Sequence, residues 1–541
     1  MDKHRVALRG ASTAARRIAL AAVPVAFLAV FLLWPVGAII DRGIRPGGAL
    51  DLSGFRDVFD DPGLRHIVWF TFWQAAVSTA ITLALGIPGA YVLSRYRFRG
   101  RSLLRALVVV PFVLPTIVVS AAFIALGVQE SLLAILLAHA FFNYAVVVRT
   151  VGGLWAHLDT RTEEAARVLG AGRVRTFLTV TLPALRPAIA AAASIVFLFC
   201  FTSFGVILVL GGPRISTLET EIYRQTADLL NLRTAAILSL VQLAAVLAAI
   251  GVSGWARGRR DAALGLRSAS ETGRAPRGWQ ARAFLAANLA VMAALLGTPI
   301  VVMIARSVPH GFSAYTQLRT TARGFTEPPI DAVWTSLRYA VVATAIALVV
   351  GGAAAFALAH ASRRRRRGAA RALDALVMLP LGVSAVTVGF GFLITFDRAP
   401  LDLRTSWLII PIAHALVAIP FVVRIVLPVI QAIDPRLREA AAVLGAKPRR
   451  VWREIDLPIA ARAALIAAGF AFAISLGEFG ATLFIVRPDT TTLPVAIYRL
   501  LGRPGATSFS EAMAASTILM VLTALSIMAI ERLRIRDVGE F

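Results

Sequence analysis

Of the 541 residues, 58% are hydrophobic and only 16% charged. Soluble domains average roughly 45–50% apolar and about 25% charged, so a soluble globular fold, a disordered chain and a collagen-like repeat are excluded; one cysteine, Cys200, excludes a disulfide scaffold. The formal charge of +26 would suggest nucleic acid on a soluble chain. In a membrane protein it collects in cytoplasmic loops, and no nucleic-acid partner is expected. Only Lys3 and Lys447 among the basic residues are lysines, the codon bias of a GC-rich bacterial genome.

About 20 apolar residues cross a bilayer as a helix. In chain order the candidates are Ile18 to Ile40, too long for a signal-peptide core, then Ile67 to Leu93, Ala106 to Leu126, Ser131 to Val148, Ala188 to Leu210 and Thr234 to Val252. After a polar stretch come Phe284 to Ile304, Thr335 to Ala359, Leu373 to Ile394, Trp407 to Val423, Ala464 to Ile485 and Glu511 to Ile530. The pattern predicts an all-α polytopic membrane protein of about 12 spans: a first half over 1–253, a flexible linker over 254–283 and a second half over 284–541.

Loop charge sets the expected orientation. The N-terminal tail, the segment holding Arg95, Arg97, Arg99, Arg101 and Arg105, and the run Arg363 to Arg367 are strongly basic, whereas the segment after the first span mixes arginines with Asp41, Asp51, Asp57, Asp60 and Asp61. Every second connection, with both termini, is therefore expected in the cytoplasm.

The halves repeat. His139 to Arg224 aligns without a gap on His414 to Arg499, at an offset of 275 (414 − 139). Each half has an even number of spans, so the repeats are parallel, about an axis along the membrane normal. The most informative match is cytoplasmic. Glu164-Ala165-Ala166, three residues, Gly170, nine residues and Val180-Thr181-Leu182-Pro183 recur as Glu439-Ala440-Ala441, Gly445 and Ile455-Asp456-Leu457-Pro458. Such residues predict a short helix, a left-handed glycine turn and a second helix opening near the proline, with small alanines that let another surface approach.

Those two segments resemble the cytoplasmic motif of the inner-membrane permeases of binding-protein-dependent ABC importers, Glu-Ala-Ala, three residues, Gly, nine residues, Ile-x-Leu-Pro, with Val180 in place of Ile in the first copy. The resemblance implies a type I ABC importer permease fold with two parallel six-helix repeats. It implies that Glu164, Ala165, Ala166, Gly170, Glu439, Ala440, Ala441 and Gly445 couple to two copies of an ATP-binding cassette subunit, and that an extracytoplasmic binding protein delivers the solute across a bacterial inner membrane. The chain shows no phosphate-binding loop of the Gly-x-x-x-x-Gly-Lys type, no metal spacing and no catalytic triad. It is therefore expected to be no enzyme and to hold no cofactor or metal, ATP being used by the partner subunit. An ion-coupled secondary transporter of 6+6 design explains the helix count but leaves the paired motifs without a use.

Among fused permeases, Ser203 to Pro213, Ser216 to Glu219, Trp334 to Arg338, Ser475 to Gly480 and Thr492 to Pro494 look closest to thiamine permeases. Ferric iron is the alternative solute, then polyamines or phosphonates. Intramembrane His139, His414 and Glu478, with Ser203 in the place of Glu478, are candidates for the substrate path. Thr217, Tyr223 and Arg224, with Thr492, Tyr498 and Arg499, are candidates for receptor docking.

Overall fold

The computed structural model describes residues 20–258, 273–321, 325–363, 367–397 and 399–538; the basic N-terminal tail, most of the linker's first part and most of the Arg363 to Arg367 run lie outside them. Apart from single-turn pieces, the first half consists of α1 Leu20–Ile44, α2 Ser53–Asp60, α3 Pro62–Arg95, α4 Arg101–Val113, α5 Thr116–Ala125, α6 Leu132–His157, α7 Arg161–Val168, α8 Arg173–Phe201, α9 Gly205–Leu210, α10 Leu218–Ala227 and α11 Leu232–Gly258. The second half continues with α12 Trp279–Ser307, α13 Asp331–Arg363, α14 Arg367–Gly382, α15 Ala385–Thr395, α16 Ile409–Ala432, α17 Pro435–Val443, α18 Pro448–Gly477, α19 Gly480–Ile485, α20 Leu493–Leu501 and α21 Ala506–Val538.

Among the described residues, 10 helices are long and apolar enough to cross a membrane, and two bent pairs bring the number to 12. The spans expected at 106–126 and 373–394 are these pairs, bent by 102° between α4 and α5 and by 96° between α14 and α15. The same bend is built by different chemistry. In the first half, Leu114 takes an extended ψ of 140° ahead of Pro115, as the proline ring demands. In the second, the Ser384 side chain accepts from the Thr387 N–H at 3.0 Å and starts a new helix.

Packing shows that each bent pair still carries the chain across. Helices α3 and α6 run parallel: Ser78 meets His139, a Cβ on Gly86 would lie 2.8 Å from Val147, and Gly152 approaches Ala90. In the second half a Cβ on Gly351 would likewise lie 2.8 Å from Val422, and Tyr339 stacks on Trp407. Two successive long helices that run parallel need a connection that returns the chain to the starting end, so each half has six crossings.

The spans expected at 188–210 and 464–485 are broken, at Thr202 to Phe204 and at Glu478 and Phe479, where short helices α9 and α19 begin. Pro183 and Pro458 do not open a helix. Each lies within a helix that starts about a turn or more earlier and widens into a π turn, at Phe177–Thr181 and Trp452–Asp456. The same device occurs at Ala29–Leu33 before Pro35 and at Ala293–Gly297 before Pro299. A proline lacks an N–H and crowds the carbonyl four residues back, and a wider turn accommodates both.

The chain gathers into two compact units. One takes the described residues within 1–51, 316–499 and 518–541; the other takes those within 52–315 and 500–517. Each unit thus contains the first span of the other half. Helix α1 packs on α15, where a Cβ on Gly391 would lie 2.9 Å from Pro35 and Phe31 sits 5.6 Å from Phe396. In the other unit α12 packs on α3, α5 and α6.

Gly86→Val should overfill the α3–α6 contact and lower stability by about 1–3 kcal/mol. Thermal unfolding in detergent should show a reduced midpoint, partly restored by adding Val147→Ala. Gly153→Val, where an added Cβ meets nothing within 4 Å, should leave it unchanged.

Candidate functional site

The two repeated polar segments fold alike through the glycine turn. Helix α7 ends at Leu169, and Gly170 follows with a φ of +82°. The Gly170 N–H donates to the Arg167 carbonyl and the Ala171 N–H to the Ala166 carbonyl, both at 3.0 Å. In the second copy Gly445 has a φ of +76°, its N–H donates to Ala442 at 3.0 Å, and the Ala446 N–H donates to Ala441 at 2.9 Å. This is the Schellman arrangement, which satisfies the last helix carbonyls and needs a residue without a Cβ at the left-handed position.

Each turn leaves an apolar pair uncovered by the rest of the chain. Val168 and Leu169 are both 87% exposed, and Val443 and Leu444 are 87% and 86% exposed. Glu164, Ala165, Glu439 and Ala440 are exposed beside them, while Ala166 and Ala441 are half-buried. Two large apolar side chains left uncovered by the chain at the same place twice are available for burial worth about 1.5–3 kcal/mol per side chain. Such tips are suited to a partner's groove.

Each segment is tied to the base of the next membrane helix, by opposite charges in the two halves. In the first, Thr181 Oγ1 donates to Glu163 at 2.8 Å, and Arg95, at the end of α3, lies 3.7 Å from the same carboxylate. In the second, Arg438 and Asp456 occupy the equivalent positions and pair at 2.6 and 2.7 Å. The Arg95 contact places the arginine-rich connection and the first segment at the same end of their unit.

The candidate path residues lie at the helix breaks and engage one another. His139 Nδ1 is 2.9 Å from Ser78 Oγ, and Nε2 is 2.8 Å from Ser203 Oγ. His414 Nδ1 is 2.8 Å from Ser475 Oγ, and Nε2 is 2.8 Å from Thr482 Oγ1 and 3.3 Å from Glu478. Glu478 accepts from the Ala481 and Thr482 N–H groups, at 2.9 and 3.1 Å, and from the Thr482 hydroxyl at 2.6 Å. Backbone groups freed by a break at membrane depth must find partners within the protein; at the second break Glu478 takes two of the N–H groups, while the two histidines tie hydroxyls of neighbouring segments together. All four residues are buried.

The candidate docking residues are less exposed than expected. Thr217 and Thr492 are buried at the starts of α10 and α20, while Tyr223 packs on Phe204 at 5.7 Å and Tyr498 on Phe479 at 5.5 Å. These tyrosines brace the breaks. Arg224 is exposed and paired with Glu221 at 3.1 Å, and Arg499 is half-buried and donates to Thr491 at 3.0 Å.

A family described as binding-protein-dependent transport system inner membrane component matches residues 83–256 and 347–538, once in each half. The chain belongs to this family. A thiamine transport system permease protein of Salmonella typhimurium is 27% identical over 498 residues, with 88% of each chain covered. One of Brucella abortus is 28% identical over 556 residues, covering 96% of this chain and 98% of its own. A putative 2-aminoethylphosphonate transport system permease protein of Salmonella typhimurium is 30% identical over 203 residues, which are 38% of this chain and 74% of its own. The inner-membrane component is therefore a fused permease with two family domains, and the ion-coupled alternative falls.

Motif spacing found the repeated segments in this permease but not the latches at their base, because the partners are 18 residues apart and differ chemically between halves. The available signal was the alignment itself, in which Glu163 and Thr181 stand where Arg438 and Asp456 stand. Arg438→Ala should cost about 1.5–3 kcal/mol of local stability, the range for charge-assisted hydrogen bonds. Hydrogen exchange over 436–451 should accelerate, and the swapped pair Arg438→Asp with Asp456→Arg should recover most of the protection. His414→Leu leaves two hydroxyls and a carboxylate short of a partner and should cost on the order of 3 kcal/mol. His139→Leu, with no carboxylate beside it, should lower the thermal midpoint less.

Proposed function

We propose that the protein is the permease subunit of a thiamine importer, driven by two copies of an ATP-hydrolysing subunit and fed by an extracytoplasmic binding protein. The carrying observation is the pair of coupling segments, each a glycine-terminated helix with an exposed Val-Leu tip on a latched base. Two equal tips fit two equal grooves, hence two copies of one partner. Glu164, Ala165, Ala166, Gly170, Glu439, Ala440, Ala441 and Gly445 make up these contact helices. ATP is consumed by the partner, and this chain holds no cofactor of its own.

The tips belong to the cytoplasmic side. The connection bearing Arg97, Arg99, Arg101 and Arg105 lies at the first tip's end of its unit, cytoplasmic loops are the basic ones, and the second tip follows by the repeat. Both termini follow to that side with six crossings per half. On the opposite side, Arg224 and Arg499 are the proposed receptor contacts, while Thr217, Thr492, Tyr223 and Tyr498 support them. His139, Ser203, His414 and Glu478 hold the breaks in shape along the path and spend their polar atoms on one another. Thiamine is favoured over ferric iron and phosphonates because the similarity to thiamine permeases runs over both halves.

In vesicles with ATPase and receptor, Gly170→Val with Gly445→Val places two β-branched residues in left-handed turns at about 1–2 kcal/mol each. Membrane insertion should persist, while uptake of labelled thiamine should fall by roughly tenfold or more. Normal uptake by the double variant overturns the coupling assignment. Stimulation of the ATPase by receptor loaded with ferric iron or 2-aminoethylphosphonate, and not with thiamine, overturns the solute assignment alone.

A further inference from the structure

The two latches are unequal in strength. The second coupling segment is held by an ion pair between Arg438 and Asp456, the first by a hydroxyl donating to Glu163 with Arg95 at a longer 3.7 Å. In the second latch both donor and acceptor are charged, whereas in the short bond of the first only the acceptor is, and the doubly charged pair is the stronger. The first segment has another contact, from the far end of the linker.

Residues 273–280 lie against the base of the first coupling segment. The Arg274 N–H donates to the Arg95 carbonyl at 2.8 Å, and the Arg97 N–H donates to the Arg274 carbonyl at 2.9 Å, so the linker pairs with the chain on both sides of Tyr96. The Arg274 guanidinium donates to Tyr91 OH at 2.6 Å. Tyr91 in turn packs on Tyr96, Trp155 and Phe284, with ring centroids 5.3, 5.2 and 5.9 Å away, and Trp155 packs on Phe177 at the foot of α8. Burial, with Tyr91 beside it, pushes the Tyr96 hydroxyl up to about 12, so it stays neutral and does not form an ion pair with Arg274. Six residues on, Gln280 Oε1 accepts from Arg173 at 3.0 Å. Arg173 is the first residue of α8, three positions past the Gly170 turn.

The second half is built otherwise. The alignment of α3 with α13 at an offset of 265 (351 − 86) places Phe356, without a hydroxyl, at the position of Tyr91 and His360 at that of Arg95. His360 bonds to the Phe356 carbonyl of its own helix at 2.9 Å, and Phe356 meets Trp452 at 6.5 Å. Among the described residues no linker segment reaches the second coupling segment.

We propose that Arg274 and Gln280 are positioning residues for the first coupling segment, the joint between the halves supplying there the rigidity that the Arg438–Asp456 ion pair supplies to the second. The inference rests on the coupling reading. Arg274 and Gln280 touch neither tip and act through Tyr91, Arg95 and Arg173. The brace also ties the start of α12 to the segment that follows Gly170, so the joint sets the place of both.

The test uses the full permease with Arg274→Ala and Gln280→Ala, both substitutions at exposed positions. Hydrogen exchange in the permease alone should accelerate roughly three- to tenfold over 161–176, the loss of two hydrogen bonds, and stay unchanged over 436–451. With the ATPase present, crosslinking from Leu169→Cys should fall by a similar factor while that from Leu444→Cys holds, and receptor-stimulated ATP hydrolysis should drop with basal hydrolysis retained. Transplanting the second half's set, Arg95→His, Glu163→Arg and Thr181→Asp, should make the first segment insensitive to Arg274→Ala. Equal exchange over 161–176 in altered and unaltered chains, or equal losses at both tips, overturns the proposal. Failure of the coupling reading shows separately, as no crosslink from either cysteine in a chain that keeps Arg274 and Gln280.

Discussion

A backbone that leaves the helix inside a bilayer has no water to satisfy it, and the interior of this protein is organised around that constraint. Each half breaks its fifth span, at Thr202 to Phe204 and at Glu478 and Phe479, and each break is held by a buried histidine bonded to hydroxyls on two segments. The neighbouring elements take their places from it. Helix α5 packs on α9 and α15 on α19, where the Ala481 backbone comes within 2.8 Å of a Cβ built on Gly389. The aromatic pairs Phe204–Tyr223 and Phe479–Tyr498 then fix α10 and α20 over the breaks.

Symmetry at the level of the backbone is met by asymmetric chemistry. A proline bends the third span in one half and a serine cap in the other. Ser203 and Glu478 stand at the same place, one as a histidine partner and the other as a cap that accepts two N–H groups. Glu163 with Thr181 and Arg438 with Asp456 make the same tie with the sense of the charge reversed. A duplicated fold constrains where a bond is needed far more than which atoms make it.

That distinction explains what the sequence discloses. The number of crossings and the repeat are legible because hydropathy over about 20 residues and a gapless offset are properties of the chain alone. The two repeated glycine-turn segments are legible because Gly170 and Gly445 sit at left-handed positions that favour a residue without a Cβ. The bends at 114–115 and 383–384 and the breaks at 202–204 and 478–479 are hidden, because the apolar run continues through them and periodicity sees only burial. The role of His139, His414 and Glu478 as mutual partners depends on which helices meet, and no local pattern records that. The exposure of Val168 and Leu169 is hidden too, since an apolar pair in sequence reads as core.

The exchange of first spans bears on how the protein is made. The seat of α1 is α15, and Gly391 follows Pro35 by 356 positions (391 − 35). At about 5–20 residues per second, the ribosome reaches that seat roughly 20–70 s after α1 has entered the bilayer. Throughout this interval the helix lacks its seat. Its stretch 20–40 contains no charged residue, histidine or amide, and its mean hydropathy of 2.4 equals the highest among the spans. A helix that must wait for its seat carries no ionisable group that needs a counter-charge while it waits.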